Sequence, residues 1–214
     1  MTDTLLLPSV SQSRPAARPP TQARSRARVE RILASTEALL ELHPLEDITA
    51  AMISDHCGVK RATIYQFFPS VRTILDTLGQ RFLDELYEDF AGCAEGRGAA
   101  GWRETLDRIV DTTVDFYSHH PAACSLFLGD GSLHGLRVID QDFDRRFVTR
   151  IQALLGADGA ADAAADSDPV QIVITITISV LSLSVHIHRR ITDAFRLEAK
   201  RVARSYLEAV RFGG

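Results

Sequence analysis

The chain has 214 residues, of which 45% are hydrophobic and 24% are charged, and its formal net charge is −4 at neutral pH. This length and apolar content provide for one or two packed domains and exclude a chain that is disordered throughout. The three cysteines, Cys57, Cys93 and Cys124, are dispersed, which argues against a disulfide scaffold or a structural zinc site and favours the cytoplasm. The apolar run at residues 5–7 is too short for the core of a secretory signal.

The basic residues are concentrated near the N-terminus. Residues 14–31 hold six arginines and one acid, a net +5, whereas residues 81–214 hold 15 basic and 20 acidic residues, a net −5. A basic segment on an otherwise acidic chain is typical of a DNA contact attached to a domain with another task, although a solvated tail has the same composition. Residues 1–22, rich in proline, serine and arginine, are predicted to form a disordered basic arm.

The elements that follow this arm are predicted to be helices. Apolar residues recur at spacings of three and four, and the boundaries carry capping residues or helix breakers such as Thr49, Gly58 and His43-Pro44. Residues 156–168, nearly all Ala, Asp and Gly, are predicted to be a mobile linker. The predicted helices span 23–43, 50–57, 61–68, 70–90, 102–118, 122–128, 133–155, 169–190 and 193–212.

Residues 170–187 give two conflicting signals. β-Branched residues alternate with small polar ones over 172–180, which is a strand pattern. However, no second strand is predicted anywhere, and a lone strand would leave its backbone N–H and C=O groups unpaired. Because the segment also shows two apolar faces at helical spacing, we predict a helix buried on two sides. It has nearly the length of a membrane span, but its seven hydroxyl, amide and imidazole side chains favour burial within the protein.

The second and third predicted helices, joined by a turn at Gly58, form a helix-turn-helix unit. In such a unit the second helix lies in the major groove of DNA, so its outer side must carry short or hydrogen-bonding residues. The residues that can pack inward are Ile53, Cys57, Val59, Ile64 and Phe68. The residues left facing outward are Lys60, Arg61, Thr63, Tyr65 and Gln66.

The same unit carries the motif Thr49-x-x-x-Ile53-x-x-x-Cys57-Gly58-Val59-x-x-Ala62-Thr63-Ile64-Tyr65-x-Phe67-Phe68-x-Ser70. Over residues 25–78, this stretch resembles the TetR family of bacterial transcriptional regulators. The all-helical remainder, which ends in two long helices, is similar to the ligand-binding and dimerising domain of that family. The resemblance implies an all-α protein with an N-terminal helix-turn-helix domain at 23–78 and a C-terminal ligand-binding and dimerisation domain at 79–214.

The resemblance also implies roles for individual residues at the DNA. Thr63 and Tyr65 are expected to hydrogen-bond phosphates, and Thr49 is expected to cap the second helix and touch a phosphate. Arg61 and Ala62 are expected to meet base edges. Lys60 stands where the family usually has Ser, and Val71 stands where it usually has Lys, so Arg72 is the candidate substitute for a missing phosphate contact. The expected DNA-binding residues are therefore Thr49, Lys60, Arg61, Ala62, Thr63, Tyr65, Gln66 and Arg72.

The C-terminal half offers a candidate ligand pocket. Several aromatic residues lie on helix faces that should converge, with a few polar residues among them, which suits a small and mostly apolar effector. Packing of an ordinary core would use the same residues. The candidate pocket residues are Thr113, Phe116, Tyr117, Phe127, Phe143, Phe147 and Thr177.

No motif in the sequence predicts a catalytic site, a cofactor or a metal ion. The series Asp140-x-Asp142-x-Asp144 resembles the start of a calcium loop, but Arg145 replaces the required Gly and Ile151 the required Glu. We therefore expect a ligand-responsive, non-enzymatic repressor. It would bind a palindromic operator as a homodimer formed by the last two helices. Two alternatives stay open: an all-helical small-molecule-binding protein or enzyme with a vestigial DNA-binding head, and a nonspecific DNA-coating protein.

Overall fold

The computed structural model of the protein describes residues 21–94, 101–130, 141–156 and 168–212, without the side chains at 21, 94, 141–144, 211 and 212. In these ranges the regular structure is helical throughout, with no strand, which confirms the predicted all-α fold class. Two short 3₁₀ turns, Leu45–Asp47 and Gly92–Ala94, separate longer helices. The α-helices are α1 (Thr21–Leu40), α2 (Ala50–Cys57), α3 (Arg61–Phe67), α4 (Val71–Asp89), α5 (Trp102–His119), α6 (Pro121–Leu128), α7 (Gln141–Leu155), α8 (Pro169–His188) and α9 (Asp193–Phe212).

Helix boundaries agree closely with the capping signals in the sequence. Thr49 caps α2 and Ser70 caps α4, each by accepting a hydrogen bond from a backbone N–H three residues further on. Helix α1 begins at Thr21, inside the segment that was predicted to be the disordered arm. The rest of that arm, the start of the predicted helix at 133 and most of the predicted linker lie outside the described residues.

Residues 169–188 form one continuous helix, α8, and not a strand. The Asp168 carboxylate caps it by accepting a hydrogen bond of 2.9 Å from the Val170 backbone N–H. The hydroxyls of Thr175 and Ser179 donate to backbone carbonyls four residues earlier, at 2.9 Å and 2.8 Å, so these polar groups are satisfied within the helix. Packing of α8 along α9 and against α6 outweighs the β-propensity of its branched side chains.

The predicted burial of α8 on two sides is wrong within a single chain. Val173, Thr177, Leu181 and Val185 are buried, but other apolar residues of the helix stay accessible because no described element covers them. By length and composition α8 could cross a membrane, and only a third of its apolar stretch is buried inside the chain. Leu183 is 50% exposed and Ile187 54% exposed.

Helices α5 and α9 pack against each other through ion pairs. The basic residues of α9 recur every four positions and meet carboxylates that recur every four positions on α5, in descending order, so the two helices run antiparallel. This series is named the α5–α9 ion-pair row. Its pairs are Arg196 with Asp115 at 2.5 Å, Lys200 with Asp111 at 2.6 Å, and Arg204 with Asp107. A fourth pair with the charges exchanged, Arg103 of α5 with Glu208 of α9 at 2.6 Å, continues the row.

Candidate nucleic-acid interface

The angle between α2 and α3 is set by local backbone chemistry. The Thr49 hydroxyl oxygen accepts a hydrogen bond from the Met52 N–H at 3.3 Å, which fixes the first turn of α2. Gly58 ends α2 in the left-handed conformation, with φ 65° and ψ 18°, and its N–H donates to the Ser54 carbonyl at 2.9 Å. A residue with a Cβ is strained in that conformation, so glycine is the residue that permits this tight turn into α3.

The inner side of the helix-turn-helix unit is apolar, as the sequence predicts. Its five predicted inward residues are each at most 6% exposed, and Ile53 is fully buried. They join a core that extends into α1 and α4. Helix α3 is therefore held from behind, and its outer face has a fixed orientation. The five residues are Ile53, Cys57, Val59, Ile64 and Phe68.

The outer face of α3 carries polar side chains that form no hydrogen bond or ion pair with the described part of the chain. Lys60, Arg61, Ala62 and Gln66 are exposed, and Thr63 is partly exposed. Among the described residues, neither Lys60 nor Arg61 forms an ion pair. Tyr65 leaves half of its surface exposed, which is unusual for an aromatic residue on a packed helix. The face thus presents cations and hydroxyl groups without internal partners.

Two of the predicted DNA-contacting residues already have partners in the chain. The exposed Thr49 uses its hydroxyl oxygen as the cap acceptor described above, which leaves its O–H free to donate. Arg72 is partly buried, and its Nε donates to the Asp76 carboxylate at 2.6 Å. A phosphate contact by Arg72 therefore competes with this ion pair. Val71, beside it, is partly buried and offers no polar group.

Four arginines of the basic segment lie on α1 and not in a separate arm. Arg24, Arg28 and Arg31 are spaced by four and three residues, so they share one side of the helix, while Arg26 points to another. All four are exposed. The described residues hold no carboxylate partner for them. The helical start of α1 therefore fixes these charges on the N-terminal domain.

The candidate ligand residues are only partly brought together. The rings of Phe116 and Tyr117 lie 5.5 Å apart, and those of Tyr117 and Phe127 lie 6.3 Å apart. Burial raises the pKa of the Tyr117 hydroxyl well above its usual range, and it raises the pKa of the nearby Cys124 thiol to about 11. These groups stay neutral at physiological pH.

The remaining candidate ligand residues lie elsewhere. Phe147 packs against Phe90, with ring centroids 5.1 Å apart. Thr113 and Thr177 are buried, and the Thr113 hydroxyl donates to the Ile109 carbonyl of its own helix at 2.8 Å. Phe143 belongs to α7, but its side chain lies outside the described residues.

Sequence reasoning missed a charged cleft of about 380 Å³ between α1, α4 and α6. One wall is formed by Glu30 of α1 and Arg81 of α4, whose two hydrogen bonds of 2.6 Å and 2.7 Å lower the pKa of the Glu30 carboxyl. Burial in the cleft raises the pKa of Glu37, and the negative charge of Glu41 raises it further. His120 lies 3.6 Å from Glu85. Because these residues come from distant parts of the chain, no local pattern could have indicated them.

The fold and the outer face of α3 define the class of the protein: an all-α protein with an N-terminal helix-turn-helix domain. Residues 32–78 match the family model described as "Bacterial regulatory proteins, tetR family". Residues 101–207 match the family model described as "Tetracyclin repressor-like, C-terminal domain". The chain belongs to the TetR family.

Similar proteins agree with this assignment. The "HTH-type transcriptional regulator EthR" of Mycobacterium tuberculosis strain H37Rv is 38% identical over 77 residues, which cover 36% of this chain and 34% of that protein. The match thus spans about a third of the length of this curated relative. A TetR-family regulator from Streptomyces coelicolor has a TM-score of 0.63 at 20% identity, over 86% of this chain and 99% of that one. A TetR transcriptional regulator from Rhodococcus sp. RHA1 has a TM-score of 0.59 at 15% identity, over 86% of this chain and 97% of that one. These two structures share the fold.

Proposed function

We propose that this protein is a cytoplasmic repressor that binds a palindromic operator as a homodimer and is released by a small effector. The observation that carries the proposal is the outer face of α3, where Lys60, Arg61 and Tyr65 are exposed on a helix held by a packed core. A helix of this kind fits the major groove of B-DNA. A dimer seated on an operator blocks access of RNA polymerase, so repression is the expected outcome.

The residues of the interface divide into two roles. Arg61, with Ala62 beside it on the first turn of α3, reads base edges, because a guanidinium group can donate two hydrogen bonds to guanine. Lys60, Thr63 and Tyr65 contact phosphates, which adds affinity without sequence information. Thr49, Gln66 and Arg72 extend the phosphate contacts at the edges of the interface. The exposed arginines of α1 add further charge toward an adjacent minor groove.

The homodimer is supported by an uncovered apolar seam on α8. Ile176, Val180, Leu183 and Ile187 follow one another at spacings of four, three and four, which places them on one side of the helix. None of them is buried within the chain. A second copy of α8, together with the adjacent α9, would cover this seam as a four-helix bundle. The two α3 helices would then meet two half-sites of one palindrome.

The effector is proposed to bind the C-terminal domain. The contacts of Phe116 and Tyr117 and of Tyr117 and Phe127 support an apolar wall there. Thr113, Phe143, Phe147 and Thr177 complete the proposed pocket. Its occupant can lower operator affinity only if it binds more tightly to the arrangement of the dimer that does not fit the operator.

The proposed interface is tested by measuring, for each variant, whether it loses recognition of bases or contact with phosphates. Fluorescence anisotropy measures binding to an operator, selected from a random duplex pool, and to random duplex, each at two salt concentrations. We expect Arg61→Ala to lose about 1–3 kcal/mol on the operator and little on random DNA. Tyr65→Phe should weaken both complexes alike. Arg190→Ala, which removes an exposed cation at the α8–α9 corner, is the control and should leave both affinities unchanged.

The outcomes separate this proposal from its alternatives. Equal losses on both duplexes for Arg61→Ala would refute the base-reading role. Wild-type affinities within a few-fold of each other on operator and random DNA would indicate a nonspecific DNA-coating protein. If no duplex binds even at low salt, the head is vestigial and the chain is a small-molecule-binding protein or an enzyme.

A further inference from the structure

The charged cleft between α1, α4 and α6 is large enough to hold a ligand. Its volume of about 380 Å³ lies within the range of small-molecule sites, roughly 300–1,000 Å³. The buried side chains of Leu33, Leu78 and Phe82 line it, so its floor is apolar. Ala34, which is exposed, also lines it and leaves it open to solvent. The cleft is therefore a concave site with an apolar floor, and not only a group of charged residues on a surface.

The charged residues that line the cleft are mostly acidic. Three of them are the carboxylates Glu30, Glu37 and Glu85, and one is the guanidinium of Arg81. Glu30 and Arg81 neutralise each other through their two hydrogen bonds. The charges of Glu37 and Glu85 then remain, since a neutral His120 contributes none. A cleft with this lining attracts a cation.

The carboxylate of Glu37 is destabilised in the free protein. Burial and the negative charges of Glu41 and Glu85 raise its pKa. Together they outweigh the opposite effect of His120 and Arg81. A cation placed between Glu37 and Glu85 would offset both the burial and the repulsion, so these two carboxylates gain from a ligand that carries positive charge.

His120 gives the cleft an aromatic wall. Its ring stacks on that of Phe116, with centroids 4.4 Å apart, and the ring centroid of Phe82 lies 5.9 Å away. Its backbone N–H donates to the Phe116 carbonyl at 2.9 Å, which fixes the position of the ring. The Nε2 atom lies 3.6 Å from the Glu85 carboxylate, longer than a normal hydrogen bond, so this carboxylate keeps its lone pairs for a ligand. The apolar body of a ligand can pack against these rings.

We propose that the cleft is a binding site for a small organic cation, in which Glu37 and Glu85 receive an ammonium group and Phe82 and His120 contact its apolar body. An ammonium group donates three hydrogen bonds, and those to carboxylates are strengthened by charge. Unlike the effector pocket proposed for the C-terminal domain, this site is charged and includes residues of α1. The inference thus goes beyond the proposed function.

Thermal unfolding of the full-length protein tests the site without DNA. The probes are benzylamine, benzyl alcohol and benzoate, which share one ring and differ in charge, and magnesium chloride. All are compared at matched ionic strength and about pH 8, where an imidazole is ordinarily neutral. A ligand that binds the folded state raises the unfolding midpoint in a concentration-dependent way. We expect benzylamine to raise it and benzyl alcohol and benzoate to bind at least roughly tenfold more weakly, because they lose the charge-assisted hydrogen bonds.

Charge variants assign the effect to the two carboxylates. The double variant Glu37→Gln/Glu85→Gln should bind benzylamine at least roughly tenfold more weakly than the wild type. The matched control is Glu46→Gln/Glu88→Gln, which removes two exposed carboxylates outside the cleft, one from the N-terminal domain and one from α4. This control should bind as the wild type does.

A second pair of variants tests the space in the cleft without changing any charge. Ala34→Phe places a large side chain in the cleft and should also weaken benzylamine at least roughly tenfold. Ala27→Phe makes the same substitution at another exposed position of α1 that does not line the cleft, and it should leave binding unchanged. Circular dichroism confirms that each variant is folded, and each shift is measured from the variant's own midpoint.

The outcomes decide between a built site and a general attraction of cations. Binding of benzylamine that depends on both carboxylates and on the space beside Ala34 supports the proposal. The proposal is overturned if benzylamine does not raise the midpoint, if benzyl alcohol binds as well, or if either the double variant or Ala34→Phe matches its control. Magnesium that binds more tightly than benzylamine, with the same dependence on Glu37 and Glu85, would also overturn it, since the site would then hold a metal ion.

The inference and the proposed function can fail separately. Binding of benzylamine is measured on the free protein, so it stands even if no operator is found. Sequence-specific binding to an operator by a protein that does not bind benzylamine would keep the regulator and remove only the cation site.

Discussion

At the scale of single residues, Gly58 controls how α3 is presented. It has a left-handed backbone, and a Cβ placed there would contact nothing within 4 Å, so only the backbone conformation restricts the position. Lys60, at the start of α3, contributes no side-chain cap. The turn therefore depends on the glycine and not on a hydrogen bond at the start of α3.

Replacement of Gly58 by alanine should lower the free energy of unfolding by about 1 kcal/mol, because an L residue is strained at positive φ. Gly58→Asn should lose less, since asparagine tolerates this conformation better. Urea unfolding followed by circular dichroism measures both. Gly92→Ala is the control, because its Cβ also meets nothing within 4 Å and its φ is not in the left-handed region. Equal losses at the two glycines would contradict the role of backbone strain.

At the scale of helices, the α5–α9 ion-pair row contains one member that is well removed from water. Lys200 is only 17% exposed, and its ammonium group lies 2.6 Å from the Asp111 carboxylate. Arg196 contacts the same carboxylate at 3.5 Å. Such a pair is costly to break on one side, because the remaining cation stays buried without a partner.

Asp111→Asn should therefore destabilise the fold by about 1–3 kcal/mol, since two cations lose one carboxylate. Glu104→Gln removes a carboxylate from the same helix, where an exposed side chain lies 3.6 Å from Arg108. That exposed pair should contribute less than about 1 kcal/mol. Chemical denaturation at low and high salt compares the two variants. A larger loss for Glu104→Gln would show that burial does not determine the contribution of these pairs.

Helix positions were predictable from the sequence to the extent that their signals are local. The caps at Thr49 and Ser70 and the left-handed Gly58 depend on neighbouring residues, so the sequence indicated the helix-turn-helix unit and its inward residues. The choice between helix and strand in α8 depended on the absence of a pairing strand elsewhere. The cleft beside Arg81 depends on residues far apart in the chain, which no periodicity reports.

At the scale of the whole molecule, the N-terminal domain is attached to the rest through α1. Glu30 of α1 binds Arg81 of α4 with two hydrogen bonds, and the adjacent cleft extends to His120 at the start of α6. Under the proposed function, a ligand that shifts α6 or α4 would move α1 and, through α2, the helix α3. The direction of the effect is set by which arrangement the ligand prefers.

The uncovered apolar seam of α8 is the proposed contact between two copies of the chain. Leu183 and Ile187 expose half of their surface, and Leu197 of α9 is 60% exposed. Under the proposed function, these exposed apolar residues on two long helices are covered by the second copy of the chain. A polymerising contact is not expected, because a two-fold arrangement pairs the seam with itself and closes.

The double variant Leu183→Glu/Ile187→Glu should convert the dimer to a monomer, because four carboxylates would face one another across the two-fold axis. Sedimentation equilibrium over a concentration series measures the change. Loss of the dimer should abolish tight binding to a full palindrome while binding to an isolated half-site stays the same, since each α3 is intact. Leu42→Glu, at a 75% exposed leucine on the N-terminal domain, introduces the same charge away from α8 and should leave the dimer unchanged. A double variant that remains dimeric would place the interface on another surface, and a half-site affinity that also falls would show that α8 supports the N-terminal domain directly.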